Sequence, residues 1–171
     1  MLLNSNQIAN HVIESDFSKR AQIGIDLSVC KIERIDVGSV VYKDKTHIDS
    51  TGYHELPTQL IDGKECWRLE KGVYSVTFNE GIKVPADAAA KITHRSSLYR
   101  TGTIIESPWW DPGFYCDQMN TTMIVTSVII IEKNARIGQI AFWKVDEVGE
   151  DRKSTRLNSS HVSESRMPSS A

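Results

Sequence analysis

In the stretch QIGIDLSV, residues 22–29, Ile23, Ile25, Leu27 and Val29 alternate with Gln22, Gly24, Asp26 and Ser28. Period two is the signature of a strand with one apolar and one polar face, because successive side chains point to opposite sides of the backbone. This reading puts Asp26 on the polar face. The pattern recurs. In VYSVTF (73–78), Tyr74, Val76 and Phe78 alternate with Ser75 and Thr77. MIVTSVIII (123–131) is a β-branched run that suits a strand better than a helix. ARIGQIAFWKV (135–145) places Ile137, Gln139, Ala141, Trp143 and Val145 on one face. IDGK, NEG, DPG and EKNA punctuate these runs with turn formers. No long helical period follows residue 20, so the expectation is an all-β barrel or sandwich of many short strands. Upstream, residues 4–17 predict a short helix capped by Asn4 or Ser5, with Ile8, Val12 and Phe17 near one face.

A chain of 171 residues suits one domain with a real core. A net charge of -2 and the lack of a Lys/Arg-rich run argue against a nucleic-acid partner, but leave room for a small phosphorylated ligand. Cys30, Cys66 and Cys116 are scattered and lack CxxC spacing. They read as reduced structural thiols in a cytoplasmic protein, not as a zinc site. The first 15 residues lack the basic and apolar regions of a signal peptide, and no run suits a membrane span. Residues 151–171 are polar, serine-rich and without apolar periodicity. They read as a disordered tail resembling translated adapter or vector sequence, which leaves 1–150 as the folding unit.

Four short stretches carry chemistry. GIDL offers Asp26; HRSSL offers Arg95, Ser96 and Ser97; WWDPGF offers Asp111 and Phe114; ARIGQI offers Arg136 and Gln139. Arginine presents a planar fork that matches phosphate oxygens, and the serine hydroxyls add neutral donors. Asp26 suits a Mg²⁺-bound water, since Mg²⁺ keeps several waters and bridges phosphates. Asp111, ahead of a Pro112–Gly113 turn, suits the orientation of an attacking water. Phe114 offers an apolar wall for a sugar or base, and Gln139 both a donor and an acceptor. Taken singly, each has a plain structural alternative: a turn, a solvated strand face, a capping loop. Trp109 and Trp110 read as packing residues and His94 as structural.

In order and spacing the four stretches resemble the deoxyuridine triphosphatase (dUTPase) and dCTP deaminase superfamily over roughly residues 20–146. GVYSVTFNEGIKVPADAAAKITHRSSL, with Glu80 and Pro85, resembles that family's approach to its second motif. The spacing of Glu106 from Trp110-Asp111-Pro112-Gly113 is closest to archaeal-type and phage-type dUTPases. The resemblance implies a distorted β-barrel (β-clip) with a short N-terminal helix. It implies a homotrimer whose composite sites bind dUTP, acting in the cytoplasm (the host's, if phage-encoded). It also implies Mg²⁺-dependent water attack on the α-phosphorus, releasing dUMP and pyrophosphate. Asp111 would be catalytic; Arg95, Ser96, Ser97, Phe114 and Gln139 would bind substrate; Asp26 would hold the metal through water.

Two departures keep alternatives open. Cys116 stands where the family usually has glycine, and the family's glycine-rich fifth motif is not seen, the serine-rich tail standing in its place. A nucleotide-binding or regulatory protein of the same fold therefore stays beside the hydrolase. Deamination of dCTP is the weaker alternative. Thr121 occupies the position where deaminases of the family carry a general acid–base glutamate, and residues 118–131 contain no acid.

Overall fold

A computed structural model describes residues 1–36, 38–48 and 52–146. The tail expected from residue 151 lies outside the described residues. Six strands form the centre: β1 (Ile25–Ile35), β2 (Gly72–Phe78), β3 (Ala88–His94), β4 (Thr103–Glu106), β5 (Asn120–Val125) and β6 (Arg136–Lys144). Every neighbouring pair is antiparallel. The order is β6–β3–β4–β5–β2–β1, and β6 pairs again with β1, which closes the barrel. Closure leaves no free edge among these six strands. The Val12–Ile13, Gly81–Lys83 and Tyr115–Cys116 strands form one small sheet. Ile129–Glu132, Lys64–Leu69 and Gln59–Ile61 form another.

The period-two reading holds in β2 and β5. Tyr74, Val76 and Phe78 point into the core with Met123 and Val125, while Val73 and Ile124 pair on the outer side and are exposed. The run 123–131 is divided between β5 and Ile129–Glu132, with a bend at Thr126–Ser127. In β6 the better-buried face is Gly138, Ile140 and Phe142; Gln139 and Trp143 on the other face are half-buried.

Two expectations need correction. The N-terminal helix is only α1 (Ser5–Ile8) plus a 3₁₀ turn, Ala9–His11. Asn4 does cap it: its side chain accepts from the N–H groups of Asn6 and Gln7, while the Gln7 side chain accepts from Asn4 N–H. Helix cannot continue because β-branched Val12 and Ile13 are drawn into pairing with Ile82 and Gly81. Phe17 consequently lies outside any helix and is 45% exposed. The second correction concerns Asp26, which is buried, not solvated. From Ile25 to Val29 the strand is buried on both faces, since barrel closure and a polar cluster cover the side that alternation assigns to water.

Candidate functional site

Strand β6 brings distant parts of the chain together. Gln139 pairs with Asp26 of β1 on one side and with Thr93 of β3 on the other, and Arg95 follows β3 directly. The side chains meet as well. Arg95 Nε lies 3.1 Å from Asp26 Oδ2, and Gln139 Nε2 donates to Asp26 Oδ1 at 3.3 Å. The register of β6 against β1 shifts between Arg136 and Gly138, a β-bulge at Ile137. There the Ile137 carbonyl accepts the Arg95 backbone N–H at 3.0 Å, and the Arg136 carbonyl accepts from Arg95 Nη1 at 3.1 Å. A bulge re-aims backbone groups in this way because its extra residue is left out of the ladder. Gly24, just ahead of Asp26, has φ +77, and a Cβ there would stand 2.1 Å from the Ile140 carbonyl oxygen. Only glycine permits that approach of β6 to the start of β1.

Beside this cluster opens a cleft of about 550 Å³ whose lining includes Phe17, Arg95, Glu132, Lys133, Asn134 and Arg136. Arg95, Lys133 and Arg136 bring cations to this lining, with Lys133 paired to Glu65 at 3.3 Å and the lining Glu132 paired to Lys64 at 2.8 Å. Arg136 belongs to the fourth stretch, and the only sequence signal for its place in the cleft is spacing, three residues before Gln139. Ser96 and Ser97 begin the one-turn helix α2 (Ser96–Tyr99) and are both exposed. The His94 ring stacks on Tyr99 with centroids 4.9 Å apart, in keeping with a structural role.

Asp111 and Phe114 are not brought to this cluster within the chain. Trp110 pairs with Ala90, five residues back along the chain from Arg95. At the strand rise, that separates the two places by about 16 Å along β3. Asp111-Pro112-Gly113-Phe114 forms a type II turn: Gly113 has φ +82, and Phe114 N–H donates to the Asp111 carbonyl at 3.1 Å. Mutual bonds with Val84 anchor it, Gly113 N–H to Val84 O at 3.1 Å and Val84 N–H to Phe114 O at 2.8 Å. Asp111 is exposed at the start of the turn, and the Phe114 ring stacks on buried Trp110 at 5.6 Å. Trp109 packs edge-on against Trp143 yet stays 52% exposed. Thr121 is buried and donates to the Glu106 carbonyl at 2.6 Å, so its side chain is committed to the fold.

For a divalent cation the donor set is sparse: among the described residues no three His, Cys, Asp or Glu side chains come together. Asp26 already pairs with the Arg95 cation through Oδ2 and accepts a hydrogen bond from Gln139 on Oδ1. A carboxylate offers about four lone-pair positions, so Asp26 fits a metal-bound water but not a cage of protein ligands. The three cysteines are free, and burial pushes the Cys30 and Cys116 thiols above their ordinary value. Among the described residues no helix is long and apolar enough to cross a membrane.

The dCTP deaminase-like family model matches residues 5–145. A probable deoxyuridine 5'-triphosphate nucleotidohydrolase of Methanosarcina acetivorans is 30% identical, covering 88% of this chain and 92% of its own. A deoxyuridine 5'-triphosphate nucleotidohydrolase of Methanocaldococcus jannaschii is 33% identical, covering 86% and 93%. In fold, the chain is similar to the crystal structure of 2'-deoxycytidine 5'-triphosphate deaminase from Agrobacterium tumefaciens. The TM-score is 0.57 at 16% identity, over 82% of this chain and 47% of that one.

Proposed function

The chain belongs to the dCTP deaminase-like family, and on that premise we infer that it is a dUTP diphosphatase, hydrolysing dUTP to dUMP and pyrophosphate. The observation that carries this reading is the convergence of Asp26, Arg95 and Gln139 at β6. It sets a planar cation and an amide donor beside a cleft with two further cations. That arrangement suits a polyphosphate, whose oxygens accept from charged donors more strongly than from neutral ones.

Arg95 and Gln139 bind the phosphate oxygens, with Ser96 and Ser97 at the exposed start of α2 adding neutral donors. These groups stabilise charge that grows on the pyrophosphate as the bond to the α-phosphorus breaks. Asp111 orients and polarises the attacking water and takes up its proton. Phe114 packs against the deoxyribose and crowds out a 2'-hydroxyl. Asp26 holds Arg95 and Gln139 in place and would accept from a water of a Mg²⁺ ion bound with the substrate. When bound with dUTP, that ion offsets the triphosphate charge. Because the Asp111 turn lies beside Ala90 while Arg95 follows the other end of β3, this reading makes the site composite. Asp111 and Phe114 of one subunit face Arg95 and Gln139 of another in a homotrimer. Exposed Val73, Ile124, Val128 and Ile130 supply apolar surface for such a contact.

Pyrophosphate release, measured with each deoxynucleoside triphosphate in turn, tests the reading. Release from dUTP alone supports it, and ammonia release from dCTP in its place refutes it.

A further inference from the structure

Phe17 lines the cationic cleft and is 45% exposed, on a turn that polar contacts hold in place. Ser18 N–H and Oγ both donate to the Ser15 carbonyl, at 3.3 and 2.8 Å, and Phe17 N–H donates to Ser15 Oγ at 3.2 Å. Ser15 Oγ in turn donates to Glu80 Oε1 at 2.5 Å. Glu80 is fully buried, and its carboxylate also accepts from Ser28 N–H at 2.9 Å and Ser28 Oγ at 2.7 Å. Every hydrogen bond to that carboxylate among the described residues comes from a neutral donor. Desolvating a carboxylate without a cation is costly, and of the three donors that offset the cost the Ser15 hydroxyl is present only while the turn stays in place.

The opposite wall is tied to the same cluster. Asn79 Nδ2 donates to Ser28 Oγ at 2.9 Å and to Asn134 Oδ1 at 3.0 Å, and Arg136 Nη1 reaches the Phe17 carbonyl at 3.5 Å. One buried carboxylate therefore registers an exposed aromatic ring against the segment that carries Arg136. Within one chain Phe114 is stacked on Trp110 away from these cations, so Phe17 is the aromatic ring that the chain's own cleft carries.

We propose that Phe17 is a further specificity-determining residue, its ring packing on the nucleoside part of a ligand whose phosphates engage Arg95. Glu80 is the positioning residue that holds Phe17 there. This rests on the reading of the cleft as the dUTP site. An aromatic face is what a base or sugar uses and what inorganic phosphate does not.

The test compares two probes on the full chain by calorimetry: the α,β-imido analogue of dUTP, which is not hydrolysed, and inorganic tripolyphosphate. Phe17→Ala should weaken the analogue about tenfold, as loss of one stacking contact does, and leave tripolyphosphate unchanged. Phe17→Trp should restore the analogue. Since Glu80 acts by holding the turn, Glu80→Gln should add no further loss once Phe17 is alanine. Equal loss for both probes, or none for either, overturns the role of Phe17; an additive loss overturns its link to Glu80. Arg95→Ala should weaken both probes. A parent protein that binds neither probe overturns the reading of the cleft along with this inference.

Discussion

Arg95 Nε stands 3.1 Å from Asp26 Oδ2, and the Asp26 side chain is only 6% exposed while that of Arg95 is 33% exposed. The pair is thus a nearly buried anion held by a cation that can still reach the cleft. Arg95→Ala should cost about 3 kcal/mol of stability, toward the lower end for a broken buried pair because the arginine is partly solvated. It should also weaken dUTP binding roughly 10- to 150-fold, the worth of a hydrogen bond to a charged group. Urea denaturation and calorimetry measure the two effects. Arg95→Lys should recover more stability than binding, since it keeps the charge but loses the fork.

Asp111→Asn should abolish pyrophosphate release and leave dUTP affinity near that of the parent. The amide is isosteric and suits the first position of a turn, but it cannot accept the proton of an attacking water. Because Asp111 is exposed, the melting temperature should not move. A variant that hydrolyses dUTP at the parental rate rules out this role.

Gly24 of GIDL and Gly113 of WWDPGF should respond differently to alanine. At Gly24 both the positive φ and the 2.1 Å clash with the Ile140 carbonyl oppose a side chain. Gly24→Ala should therefore cost well above the ~1–2 kcal/mol of the backbone conformation alone, and it should loosen β1 against β6. Gly113 has φ +82 but open space around it, so Gly113→Ala should cost about 1 kcal/mol and act chiefly on turnover by disturbing the Asp111 turn. Thermal melts beside rate assays separate the two cases.

Light scattering of the full chain should give the mass of three subunits. Ile124→Lys, on the exposed face where Ile124 pairs with Val73, should lower that mass and the rate together. A parent that is monomeric at micromolar concentration and fully active would refute the composite site.

Alkaline pH should weaken the fold through two thiols. Burial raises Cys30 and Cys116 above the ordinary value of 9.0, so the unfolded chain loses these protons at lower pH than the folded one. The stability they contribute is complete below pH 9.0 and is lost as pH climbs through the folded values. Melts from pH 8 upward should show the decline, and a Cys30→Ser, Cys116→Ser variant should show a shallower one.

Local pattern was enough for much of the barrel. Alternation in 73–78 reports a core face because a strand's two sides differ whenever only one is covered, and the Asp-Pro-Gly turn is written in proline's fixed φ and glycine's tolerance of φ +82. Asn4 as a cap is equally local. The fate of Asp26 was not. Alternation assigns it to water, and only the second pairing of β6 with β1 covers that face and turns the aspartate into the anchor of Arg95 and Gln139. The same is true of the shortened helix, ended by pairing of Val12 with Ile82 across 70 positions, and of Phe17, whose place at the cleft depends on Glu80. Sequence determined which residues could form strands and turns, because those preferences act between neighbours along the backbone. Tertiary structure decided which polar groups are buried and which of them meet, because barrel closure joins strands whose positions in the chain carry no local mark of one another.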